Sequence, residues 1–355
     1  MTQQRHLIKT SEMIKGNKVN RISPLWLGIG ISGSLILVLV IVETVLGRWS
    51  EIMTGGEFDP LARVSTGVLR DVRIAIVHCL VIGYLPAALL HVMQNARKTV
   101  LALQGALDCT RTECEALAAS VRLNPLGLAI TGLIGLVLSL IIPYLVPPVP
   151  ESPWNPSTWG PEVFWHRTLG PLTLVCGLWL GYSIVTVSIR MSGIAKRLCR
   201  IDLLDLSPLA PFTQLGLTNA LLLIGFLSIW SLMMIETGFG QMMWIIGGSI
   251  LVSTVLALLF PLQGVHIRIR HSKEKELALV NTKISKQWSS FLSKDSDRRS
   301  GDLADLLAYR SLVEGVPEWP FTGSTYARLF LYALLPAVTW GIGLIAEEVV
   351  GSFIH

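Results

Sequence analysis

Charge is what this sequence has least of: Asp, Glu, Lys and Arg make up 15% of its 355 residues, against roughly 25% in ordinary soluble domains. So few charges cannot clothe a chain of this size in water, and a mean hydropathy of +0.57 agrees. Metal-binding motifs are missing too, with neither an HExxH nor a CxxC anywhere. The five cysteines, Cys79, Cys109, Cys114, Cys176 and Cys199, are an odd set, and Cys109 and Cys114 stand five apart, which matches no zinc pair. They imply no disulfide framework and no metal site. Strand-rich stretches and long linkers are absent, which excludes a separate soluble catalytic domain. No serine or cysteine nucleophile can be matched with a histidine and an orienting acid; His166 with Glu151 and Glu162, and Glu57 with Asp59, are only neighbours in loops. An enzyme is not expected, and no cofactor is implied.

What the chain has is long apolar runs. A membrane span needs about 20 mostly apolar residues, and candidates stand at 25–47, 74–92, 126–146, 168–189, 212–235, 242–262 and 329–350. The first is too long for a cleaved leader and ends at Gly47-Arg48-Trp49, so it reads as an anchor. About 24 of the 29 Lys and Arg residues fall in the N-terminal tail, the 93–124 and 190–211 loops and the 263–328 region. This asymmetry puts those segments, and the N-terminus, in the cytoplasm and His355 outside. The net charge of +5 is thereby explained by topology, and nucleic acid is not an expected partner. The expected fold class is all-α: a polytopic membrane protein of about seven transmembrane helices with helical cytoplasmic extensions. Its segments are a basic tail at 1–24, spans one to six at 25–262, a cytoplasmic helical region at 263–325, and the last span with an outer C-terminus at 326–355. The 147–167 loop, with six prolines and Trp154, Trp159 and Trp165, forms an outer cap.

Helices continue past the inner leaflet. Span two is expected to run on to about Asp108, with a new helix beginning at Thr112-Glu113-Cys114-Glu115, where acids favour a helix N-terminus. After span six, Leu277, Val280, Ile284, Trp288 and Phe291 recur at three and four residues, an apolar stripe that has to pack on something. Self-association through this stripe is the expectation. A further helix runs from Ser300 to about Val313. The acidic, leucine-rich turn from Ile201 to Pro208 lies at the membrane surface, and Pro208 and Pro211 prevent one continuous helix there.

Gly28, Gly30 and Gly33 spell GxGxxG inside an apolar run, without the strand that a dinucleotide site requires, so they read as packing residues. Gly127, Thr131, Gly135 and Ser139, with Gly177 and Gly181 in the next span, read the same way. Ionisable groups within spans are functional candidates because desolvating charge is costly. Only His78 lies well inside a span, as a lone packing histidine; Glu43, Glu236 and His91 sit near ends. Span five holds the most polar stripe, with Gln214, Thr218 and Asn219, then Ser228 and Ser231. In the last span Pro336 interrupts the helix, Thr339, Gly341 and Gly343 leave a small face, and Glu347 and Glu348 close it.

Ala308-Tyr309-Arg310, Glu318-Trp319-Pro320-Phe321, Leu331-Tyr332, Pro336 and Trp340, with Ile201 to Phe212 as a second stretch, resemble a family of uncharacterised bacterial polytopic inner-membrane proteins. That resemblance implies a bacterial inner membrane and no activity. The order of elements also resembles, in topology alone, the insect olfactory and gustatory receptor channels, which implies a tetramer with the last helix lining a pore. The leading expectation is therefore a homo-oligomeric pore lined by Thr339 and Gly343 with Glu347 and Glu348 at its mouth. A transporter or binding protein with its site at Gln214, Thr218 and Asn219 is the second, and a scaffold or sensor subunit the third.

Overall fold

The computed structural model describes residues 23–45, 58–59, 64–65, 68–107, 109–145, 154–155, 161–198, 201–234, 241–291, 300–321 and 323–354. Its helices are α1 (Pro24–Val45), α2 (Val68–Ala102), α3 (Arg111–Ser120), α4 (Pro125–Leu145), α5 (Pro161–Ala195), α6 (Ala210–Ser231), α7 (Gln241–Phe291), α8 (Ser300–Gly315) and α9 (Gly323–Ile354). Seven stretches are long and apolar enough to cross a membrane, one in each of α1, α2, α4, α5, α6, α7 and α9. The chain is a multi-pass membrane protein. A two-residue antiparallel ribbon, Phe58–Asp59 against Val64–Ser65, is the one departure from helix among the described elements.

Several boundaries differ from the sequence expectation. α2 ends at Ala102 rather than near Asp108, because the chain turns at 103–106 and Leu107 bridges to Leu198. α5 begins at Pro161, so Trp165 and His166 are helical and not part of an outer loop; proline at the first helical position sets φ where the missing N–H costs nothing. α9 runs unbroken through Pro336. Pro208 and Pro211 act as expected: a short 3-10 turn at Ser207–Leu209 precedes α6. In the turn before it, Asp202 accepts from the Leu204 amide and Asp205 from the Ser207 amide. Ser207 thereby holds the Asp205 carboxyl below its ordinary value.

Four helices close a ring, with α2 on α5, α5 on α7, α7 on α6 and α6 on α2. One apolar core fills it, including Val81 and Leu85 of α2, Leu180 and Ile184 of α5, Phe212 and Leu215 of α6, and Leu262 and Val265 of α7, all at most 3% exposed. The other three spanning helices each lean on one ring member: α1 on α2, α4 on α5 and α9 on α6. Among their described residues few are buried; on α1 only Leu39 and Glu43 are. A helix apolar on all sides and exposed on most of them is matched to lipid.

Small residues set the contact distances, because lipid tails provide no hydrophobic drive between helices. A Cβ on Gly216 of α6 would lie 2.7 Å from the Leu258 carbonyl of α7, and one on Gly135 of α4 would lie 2.9 Å from the Val175 Cα of α5. Gly28 and Gly83 join α1 to α2, and Gly264 abuts Ser192 where α7 meets α5. Gly177 and Gly181 do not serve this purpose, since both look onto open space.

Most of the described basic residues gather at one end of the bundle, and several bond to helix C-termini there. Arg268 donates to the Leu198 carbonyl after α5 at 3.0 and 3.2 Å, Lys273 donates to the Glu314 and Val316 carbonyls at the end of α8, and Arg190 donates to the Ser120 carbonyl of α3. Cations at the negative ends of helix dipoles are favourable. At the opposite pole of α3, Thr110 and Glu113 form a reciprocal capping box. That turn brings Cys109 and Cys114 to a Cα separation of 5.9 Å as a disulfide, a pairing which the spacing alone had not implied.

Gly216→Leu should destabilise the purified protein by about 1–3 kcal/mol, since the added atoms meet backbone, whereas Gly181→Ala should leave the melting temperature in detergent unchanged or slightly raised.

Candidate functional site

Polar groups buried among the spanning helices fall into two kinds. Most are satisfied by their own helix. Thr218 donates to the Gln214 carbonyl, Ser228 to Ile224, Ser183 to Leu180 and Thr254 to Ile250, at 2.7–2.9 Å. Ser231 reaches further, donating to Ser228 and across to the Pro336 carbonyl of α9 at 3.3 Å. Tyr84 ties α2 to α6 by donating to the Leu222 carbonyl at 2.6 Å, and Trp179 ties α5 to α4 by donating to Leu128 at 2.8 Å.

Asn219 is the other kind. It is fully buried, yet neither its amide oxygen nor its amide nitrogen has a hydrogen-bond partner. Its position follows from helical register. Gly216 meets α7, Gly225 and Leu222 meet Tyr84 of α2, and at 100° per residue Asn219 falls between those two directions. It therefore faces the interior of the ring, on the stripe that continues through Phe212, Leu215 and Phe226. The Ser188 hydroxyl on α5, also fully buried, the Trp230 indole N–H on α6 and Arg167 Nε on α5 likewise have no hydrogen-bond partner. Of the sequence-predicted set, Gln214 is exposed and Thr218 is spent within its helix, so the polar stripe of span five reduces to Asn219.

His78 is not a lone histidine. Its ring stands edge-on to that of His166 from α5, with centroids 5.1 Å apart and an interplanar angle of 84°. His78 Nδ1 donates to the Ile74 carbonyl at 2.8 Å, which leaves Nε2 as the acceptor for His166 Nδ1 at 3.2 Å. His78 is 1% exposed while His166 lies at the surface of the bundle. The two are 88 residues apart in sequence. The signal that could have found His166 is Pro161, whose place at a helix start brings His166 into the spanning helix.

No family model matches the chain, and no curated protein or solved structure does either.

At the basic end the link from α8 to α9 is fastened to the ring. His266 of α7 donates to the Glu318 carbonyl at 3.1 Å and stacks on Trp319 at 4.3 Å, and Trp319 stacks in turn on Phe321. Thr213 of α6 donates to the Pro320 carbonyl at 3.0 Å. The apolar stripe of α7 meets α8 of the same chain: Val280 and Val313 are buried and Tyr309 donates to Glu276. Leu277 and Ile284 are half-buried, Trp288 is 53% exposed, and the side chain of Phe291 lies outside the described residues. On α9, Thr339 donates to the Leu335 carbonyl of its own helix, Gly343 is half-buried, and the side chains of Glu347 and Glu348 lie outside the described residues.

Trp319→Ala should loosen the link, costing roughly 2 kcal/mol for a half-buried aromatic. Limited proteolysis should then cut between α8 and α9 faster than in the wild type; equal rates would remove Trp319 from this role.

Proposed function

We propose that this membrane protein binds or carries a small polar solute inside its four-helix ring, with Asn219 as the recognising group. The observation that carries the reading is an amide buried to 0% exposure with both ends unpaired. An asparagine retained for helix–helix association would find a partner across the interface. One that keeps its carbonyl and amino group free offers an acceptor and two donors to something else. The complementary solute is one that both donates and accepts hydrogen bonds, a description that fits amides, neutral amino acids and polyols better than a bare cation.

The excess of Lys and Arg at the basic end supports a cytoplasmic placement, and the resemblance carried by Ala308 to Trp340 implies a bacterial inner membrane. A pore around α9 ranks below this reading. It requires several copies about an axis, and Thr339, the candidate polar lining group, uses its hydroxyl within its own helix.

The test does not depend on knowing the solute. A group held unpaired for binding costs stability, so Asn219→Leu should raise the melting temperature of the empty protein, by the equivalent of about 1–3 kcal/mol, and should abolish the stabilisation that any transported solute confers. A lower melting temperature for Asn219→Leu would instead make Asn219 a packing residue and end the proposal.

A further inference from the structure

The other end of the bundle, where Arg73 of α2 and Arg167 of α5 also stand, carries the second polar feature, a pair of hydrogen-bonded histidines whose nitrogens are spaced as two ligands of one metal would be. His78 Nε2 and His166 Nδ1 are 3.2 Å apart. Two nitrogens bound to one tetrahedral zinc at about 2.0–2.1 Å are separated by about 3.3 Å, the edge of the tetrahedron. The outer-shell partner is also in place. Ligating histidines almost always give their second N–H to a carbonyl or carboxylate, which fixes ring and tautomer, and His78 Nδ1 gives its proton to the Ile74 carbonyl at 2.8 Å. Both rings stand on packed helices, for Ala75 and Cys79 of α2 and Trp165 and Leu169 of α5 share a buried cluster beside them. The neighbouring Arg167 guanidinium is turned onto the Trp154 ring, 5.2 Å from its centroid. A carboxylate, Glu43, is buried at 4% exposure one turn beyond Leu39 of the same cluster.

We propose that His78 and His166 hold a divalent transition cation, with zinc as the simplest case. Imidazole nitrogen suits zinc, cobalt, nickel and copper and does not suit calcium or magnesium. The described residues here supply these two protein nitrogens and no third candidate ligand, so the proposed ion would be held by two imidazoles with water at its other positions. Loading needs no net loss of a proton. His166 moves its proton from Nδ1 to Nε2 through solvent, its Nδ1 lone pair then faces the metal, and His78 keeps the tautomer it already has. This site is separate from Asn219, which lies on α6.

The experiment uses the full chain, purified without a histidine tag in nanodiscs and titrated with Co²⁺ and with Zn²⁺. The wild type should bind one Co²⁺ per chain with the visible bands of a low-coordinate, nitrogen-ligated ion, and Zn²⁺ should displace it. His78→Gln and His166→Gln should each weaken binding roughly tenfold or more, while Cys79→Ser should not change it. Should a variant fail to fold, the wild type alone decides: Zn²⁺ should shield His166 from acylation by diethyl pyrocarbonate, read by peptide mass mapping. No metal bound, no shielding, or binding that survives loss of both histidines would overturn the proposal and leave a hydrogen-bonded imidazole pair only.

Discussion

The hydrocarbon layer offers no partner to a backbone N–H or C=O, and most features of this protein follow from that constraint. Each spanning segment has to satisfy its own peptide groups, so each is a helix, and the irregular backbone is confined to the ends. Those ends carry unpaired carbonyls. At the basic end they are met by Arg190, Arg268 and Lys273, each reaching a carbonyl at or just past the last turn of a different helix. Basic side chains at this end thus close helices by capping their last carbonyls.

Helix association in lipid has to come from fit. The contacts of the ring and its satellites run through positions where a side chain would collide with a neighbouring backbone or ring: Gly216 with α7, Gly264 with α5, Gly135 with α5 and Gly225 with Tyr84. The hydroxyl and indole bonds across helices, Tyr84 to Leu222 and Trp179 to Leu128, sit at the same seams. Satellites α1, α4 and α9 each pack mainly along one such seam, and many of their other described residues are apolar and exposed. Within the single chain the last helix is joined to the ring by the Trp319 segment and by Ser231.

Against this background the unpaired amide of Asn219 and the paired imidazoles of His78 and His166 stand out for opposite reasons. Hydroxyl side chains in a spanning helix can bond back to a carbonyl three or four residues earlier, and here Thr218, Thr254, Ser183 and Ser228 all do so. An amide or an imidazole satisfied in that way still has a second polar atom to place. His78 places its second nitrogen against His166, and Asn219 places neither of its atoms.

The sequence by itself determined the class of molecule, the number of spanning helices, and the helices at Ser300–Gly315 and after Thr110, because apolar length, helical period and capping residues are local properties. It also marked Gln214, Thr218, Asn219 and His78 as the intramembrane polar candidates. Tertiary structure alone decided which of them had partners. His166 looked like a loop residue until Pro161 was seen to start a helix, and Cys109 met Cys114 only through the turn at the Thr110 cap. Val280, read with its stripe as a surface for a second copy, is buried where α7 packs on α8 of its own chain, while Trp288 of the same stripe is exposed. In each case the deciding quantity is a distance between residues set by helix packing, and periodicity along one helix does not contain it.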